Sequence, residues 1–157
     1  QGREFSTIER MAEKVYAESV RGRARPGALA AFSRHRAEGH KIFLLSSSLN
    51  LIVEKVAKEY GFDGYLSTEL EVNEHGALTG QIVEPLCFGE GKVVRARAHV
   101  AELGATLADC VFYSDSASDL PMLEAAGEAV AINPDIRLSL GARRRGMKVE
   151  DWGRTAA

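Results

Sequence analysis

Asp115 and Asp119 stand four residues apart, between the apolar run Asp109-Cys-Val-Phe-Tyr113 and a helix start at Leu120-Pro121. Carboxylates delivered from the end of a buried strand converge on a small volume, and an oxygen-rich volume suits a hard cation such as Mg2+. The helix start adds backbone N–H groups that favour anions. The same residues also read as plain punctuation, with Asp119 a helix cap and Asp115 a turn residue. Ser46, Ser47 and Ser48 follow a second apolar run, Lys41-Ile-Phe-Leu-Leu45, and precede another helix. Their hydroxyl and backbone N–H donors can meet a phosphate, or one of them can cap the helix. Lys92 follows Gly89-Glu90-Gly91 in the first turn of a third helix, where a cation sits slightly against the helix dipole. That misfit points to a charge kept for a bound phosphate. His35, His40, His75 and His99 show no paired ligand spacing of the His-Glu-x-x-His kind and read as surface or helix residues. Neither a Gly-x-Ser-x-Gly elbow nor a Walker loop is present.

The elements that must position these residues follow from periodicity. Ile8, Met11, Ala12, Val15 and Tyr16 predict an amphipathic helix over Ser6–Val20, capped by Ser6 or Thr7. Pro26 suits the first turn of the next helix, which ends near Ala37 with Gly39 as a left-handed cap. The run from Lys41 to Ser46 has no alternation and predicts a strand covered on both faces. A helix from Leu49 to Tyr60 follows, then a strand at Gly64–Thr68. Leu70–Val72 and Leu78–Val83 flank Asn73-Glu-His-Gly76, which predicts a hairpin. Beyond it come a helix at Gly91–Leu103, a strand at Asp109–Tyr113, a short helix at Leu120–Ala126 and a strand at Ala129–Asn133. A helix at Ile136–Arg145 and a last strand at Met147–Val149 complete the series. Alternation of strand and helix implies an open parallel sheet with helices on both faces, a Rossmann-like three-layer α/β fold carrying one inserted hairpin. Ligands of such sheets bind beyond the carboxyl ends of the strands, where Ser46–Ser48 and Ser114–Asp119 fall.

Bulk properties narrow the partners. A chain of 157 residues, 45% hydrophobic and 27% charged, fits one globular domain. A net charge of −2 lacks the basic excess of a nucleic-acid binder, and the clusters Arg21, Arg23, Arg25 and Arg143–Arg145 read as solvated charge. Cys87 and Cys110 form no Cys-x-x-Cys pair, and Cys110 reads as a small buried apolar residue. With no apolar stretch of about 18 residues, no membrane span is expected. The cysteine usage makes a reduced, cytoplasmic setting the expectation, and the polar start Gln-Gly-Arg-Glu-Phe has no signal-peptide apolar region.

Three motifs in order resemble the haloacid dehalogenase superfamily, on the branch that contains phosphoserine phosphatase. Ile42-Phe-Leu-Leu-Ser46 resembles its second motif, Gly89-Glu-Gly-Lys92 its third, and Tyr113-Ser-Asp115-Ser-Ala-Ser118-Asp119-Leu-Pro121 its fourth. The stretches Gly61-Phe-Asp-Gly64, Leu78-Thr-Gly80 and Ala131-Ile-Asn-Pro-Asp135 are also similar to that branch. The resemblance implies a Mg2+-dependent phosphomonoester hydrolase working through an aspartyl-phosphate. It implies phosphoryl binding by Ser46, Ser47 and Ser118, charge balance by Lys92 and metal binding by Asp115 and Asp119, with Lys92 and Asp119 as the catalytic pair. The partner would be a small phosphorylated metabolite, with no nucleic acid or membrane involved.

The family's first motif, Asp-x-Asp-x-Thr/Ser on an N-terminal strand, has no counterpart before Ile42. The expectation is therefore a chain that begins inside a helical cap, with residues 1–25 a cap remnant and 26–157 an incomplete core lacking its first strand. The nucleophile would lie in a segment not included, leaving this chain alone inactive. The alternatives are a non-catalytic binding or regulatory module of the same fold, and association through the sheet edge left by the missing strand. Ser118 stands where phosphoserine phosphatases usually have Asn, and Ser46-Ser-Ser48 replaces their Ser-Gly-Gly, so the substrate stays open among small phosphomonoesters.

Overall fold

Local signals place most elements where they are observed in the computed structural model, which describes residues 5–153. Those residues divide into two compact units, 5–24 with 31–87 and 25–30 with 88–153.

In the first unit, α1 (Phe5–Val15) runs into a π-helical turn at Tyr16–Val20. Ser6 and Thr7, expected to cap this helix, lie within it. Only Ala12 and Tyr16 of its predicted apolar face are buried, while Met11 and Val15 are exposed. Pro26 opens α2 (Pro26–Ala37) and Gly39, at φ 78°, follows it in the left-handed conformation that glycine adopts without strain. Strand β1 (Phe43–Leu49) pairs in parallel with β2 (Gly64–Thr68), joined by α3 (Asn50–Tyr60), which packs on both strands. The hairpin of β3 (Leu70–Val72) and β4 (Leu78–Ile82) turns where expected. There the Asn73 side chain accepts from the His75 and Ala77 N–H groups at 3.0 and 2.9 Å.

Tyr16 ties α1 to α3. Its hydroxyl donates to the Glu59 carboxylate, which also accepts from the Gly22 N–H at 3.1 Å. The bond to Glu59, aided by burial, pushes the Tyr16 phenol up to about 12, while the same bond lowers the Glu59 pKa. A raised native pKa contributes stability that is complete below the unfolded value near 10 and is lost as pH rises toward about 12. In urea titrations, stability should therefore fall more steeply between these pH values for the parent than for Tyr16→Phe. Parallel curves would refute the coupling.

The second unit carries α4 (Glu90–Glu102), β5 (Val111–Ser114), α5 (Leu120–Ala125), β6 (Glu128–Ile132), α6 (Ile136–Arg144) and β7 (Lys148–Glu150). Strands β5, β6 and β7 form a parallel sheet in that order, with Val111 opposite Glu128 and Ala131 opposite Val149. Each crossover returns a helix to the sheet: α5 packs on β5 and β6, and α6 on β6 and β7. Leu123, Ala131, Leu138 and Ala142 form the core, closed by Phe112, Leu120 and Met147. Asp135 caps α6 by accepting from the Leu138 N–H at 2.7 Å.

The α/β architecture of parallel sheets and flanking helices agrees with the expectation, with two adjustments. The parallel strands form separate sheets of two and three strands; among the described residues, β1 pairs only with β2, and β5 only with β6. Phe43, Leu44 and Leu45 are accordingly half-buried, where a strand covered on both faces was expected. Cys110 is also half-buried because it caps the 3-10 turn Leu107–Asp109 ahead of β5, whereas Cys87 is the sealed cysteine. Burial raises the Cys110 thiol pKa, with Asp109 adding to the effect.

Candidate active site

Strand β5 ends at Ser114, and a 3-10 turn at Ala117–Asp119 leads from it into α5. Asp119 occupies the N-cap position of α5 without any side-chain capping bond, so the cap reading fails. Its carboxylate instead meets the Lys92 ammonium, which donates to Oδ1 at 2.7 Å and Oδ2 at 2.8 Å. Both side chains are about seven per cent exposed, so the pair is largely withdrawn from water. Ser114 donates to Asp119 Oδ2 at 2.8 Å, and its own oxygen accepts from the Ser116 N–H at 3.1 Å. A chain of bonds thus runs from the first turn of α4 to the carboxyl end of β5. Burying two ions costs several kcal/mol each unless geometry and additional hydrogen bonds offset it, and the two-pronged contact plus Ser114 meets that condition.

The misfit noted for Lys92 in the sequence now has a local cause. Gly89, at φ 52°, turns the chain into α4, and Lys92 lies in the first turn, buried and giving two of its donors to a carboxylate. Both Asp119 oxygens accept from Lys92, so the role this geometry supports for Asp119 is holding the ammonium in place. Asp115 differs: its side chain is 61% exposed and lies 3.8 Å from Arg25 Nη2. An exposed pair at that distance contributes little to stability, which leaves the carboxylate free to exchange partners. Arg25 is itself anchored by donating to the Gly153 carbonyl at 2.8 Å. Ser118 is half-buried, its Oγ 2.7 Å from Ser116 Oγ.

Ser46 and Ser47 lie in the first unit, on β1. The capping alternative fails here also, because α3 begins after Leu49 and has no side-chain cap. Ser46 Oγ accepts from the Ser48 N–H at 3.2 Å, and a hydroxyl that accepts one bond can still donate another. The Ser47 carbonyl accepts from Thr68 Oγ1 at 2.9 Å, which fixes this end of β1 against β2.

As for a metal, the donor chemistry fits a hard cation at Asp115. Mg2+ is commonly held by one or two carboxylates together with waters and substrate oxygens, and Asp115 offers one that faces solvent. Sequence reasoning missed Ser114, which orients Asp119, and Arg25, which was grouped with solvated charge. A serine at the last position of a buried strand was the available signal for Ser114.

The family described as haloacid dehalogenase-like hydrolase matches residues 1–124, and this chain belongs to it. Within the family it falls on the phosphoserine-phosphatase-like branch. It is 32% identical to phosphoserine phosphatase SerB1 of Mycobacterium tuberculosis over 152 residues, covering 97% of this chain and 49% of that protein. It is 35% identical to the histidinol-phosphatase of Neisseria meningitidis over 118 residues, or 73% of this chain and 53% of that one. The chain thus spans about half the length of the curated relatives it matches. Among solved structures, a Bordetella pertussis protein of unknown function superposes with a TM-score of 0.85 at 29% identity, over 96% of this chain and 69% of that one. A phosphoserine phosphatase solved as a phospho-aspartyl intermediate analogue shares the fold, with a TM-score of 0.69 at 20% identity over 97% and 74% of the two chains.

Proposed function

We propose that this chain forms part of a Mg2+-dependent phosphomonoester hydrolase acting on a small phosphorylated metabolite through an aspartyl-phosphate. The buried Lys92–Asp119–Ser114 network at the carboxyl end of β5, with Asp115 exposed beside it, carries the proposal. Relatives named as phosphatases support the reaction class.

In this reading an aspartate outside these 157 residues attacks phosphorus in line, and the ester oxygen departs with a proton from a general acid in that same outside segment. Water then hydrolyses the acyl phosphate. Two of the three Lys92 donors go to Asp119, and the third is assigned to a phosphoryl oxygen, where a fixed charge is most effective away from water. Asp119 is assigned to positioning Lys92 in preference to direct metal ligation. Asp115 would hold Mg2+, whose positive charge offsets that of the phosphoryl group. Ser46 and the Ser47 N–H are assigned to phosphoryl oxygens, and Ser118 to the substrate side. A cytoplasmic setting belongs to the same proposal.

Phosphatase assays decide the matter. The 157-residue chain and a form extended upstream in its gene are compared on phosphoserine and other small phosphomonoesters, with and without Mg2+. Turnover confined to the extended, Mg2+-supplied form is expected. Comparable turnover in both, or none in either, would overturn it.

A further inference from the structure

The last turn of α2 holds a cluster that the phosphatase reading does not use. The sequence His35-Arg-Ala-Glu38-Gly39-His40 crosses the end of the helix. The Gly39 N–H donates to the Arg36 carbonyl at 3.0 Å and the His40 N–H to the His35 carbonyl at 2.9 Å. These two bonds define a Schellman cap, in which the residue after the left-handed glycine folds back over the last helical turn. The two positions brought together are usually apolar. Here both are histidine, with ring centroids 5.2 Å apart.

The side-chain atoms form a compact triangle. His35 Nδ1 lies 2.9 Å from His40 Nδ1, and Glu38 Oε2 lies 3.9 Å from the first and 3.4 Å from the second. Zinc binds imidazole nitrogen and carboxylate oxygen at about 2.0–2.2 Å, so neighbouring ligands in a tetrahedral shell stand about 3.3–3.5 Å apart. The three observed separations bracket that value. The cations nearest in sequence, Arg36 and Lys41, both pair with Asp63, which also accepts from the Ile42 N–H. Glu38 is left facing the imidazoles. His35 is the more buried ligand, its side chain 16% exposed, while His40 and Glu38 remain open to solvent.

We infer that His35, Glu38 and His40 form a binding site for a divalent transition metal of the zinc class, clamping the turn between α2 and β1. Two imidazoles and one carboxylate suit zinc, nickel or copper and discriminate against Mg2+, which demands oxygen ligands. The fourth position would be filled by water.

Zinc titration by calorimetry, run in excess Mg2+ so that oxygen-rich sites are already taken, tests the site. One Zn2+ per chain is expected to bind and to raise the thermal midpoint, since a ligand specific for the native state stabilises it. His35→Gln and His40→Gln should each weaken binding at least tenfold and abolish the thermal shift. His40 is exposed and its backbone bond survives the change, so that variant stays folded. Absence of saturable zinc binding would overturn the site, as would an unchanged affinity in both variants; a pair that merely caps the helix gives the first result.

Discussion

Replacing Lys92 with alanine lowers the unfolding free energy by about 3–5 kcal/mol, the usual cost of breaking a buried ion pair from one side. The cost arises because Asp119, about 5% exposed, keeps its charge and loses both donors, with only Ser114 left to meet it. Asp119→Ala does the same in reverse by stranding the ammonium. The double variant Lys92→Met/Asp119→Leu should be less destabilised than either single one, because no unpaired ion remains. Urea unfolding of the four proteins forms a complete cycle. Under the proposed function, Lys92→Met should also lower kcat/KM of the upstream-extended form by about 10^2–10^3, the usual effect of removing one preorganised donor. A single variant within about 1 kcal/mol of the parent would remove the basis for a buried pair.

Gly127→Ala should cost at least about 3 kcal/mol, at or beyond the upper end for inserting one carbon into a packed site. A Cβ there would stand 1.8 Å from the Ala108 carbonyl oxygen and 2.6 Å from its carbon. These are backbone atoms, so no rotamer change relieves the overlap. The same stretch is bonded on both sides: the Gly127 N–H donates to the Leu107 carbonyl at 2.8 Å and the Glu128 N–H to the Cys110 carbonyl at 3.0 Å. The substitution must therefore break the junction that starts β6 beside β5. A urea midpoint close to that of the parent would mean the turn yields more easily than its contacts imply.

The parts of the site visible in the sequence were those fixed by local pattern. Lys92, Asp115 and Asp119 stand out because each follows a glycine turn or a strand end, and because the motifs they belong to occur in the order the family resemblance requires. Their partners were not visible. Asp119 could have been a cap by every local criterion, and only the approach of α4, 27 residues away in sequence, draws it to Lys92. The serines at Ser46–Ser48 failed as caps because β1 runs on to Leu49, a boundary that depends on pairing with Thr68 rather than on local preference. His35 and His40 are five residues apart, a spacing that shares no helix face. Gly39 reverses the chain between them, and a glycine cap flanked by histidines was the signal to follow. The alternation of strand and helix predicted parallel pairing correctly. Which strands share a sheet could not be read, because that depends on contacts distant in sequence.

The second unit is stitched from distant parts of the chain. The Gly27 N–H donates to the Trp152 carbonyl at 3.1 Å, and Arg25 reaches Gly153 across 128 residues. During translation at about 5–20 residues per second, the start of α2 waits about 6–25 s before Trp152 has even been made. This half of the molecule therefore cannot finish folding vectorially. Nascent chains stalled before that tryptophan should remain protease-sensitive at α2.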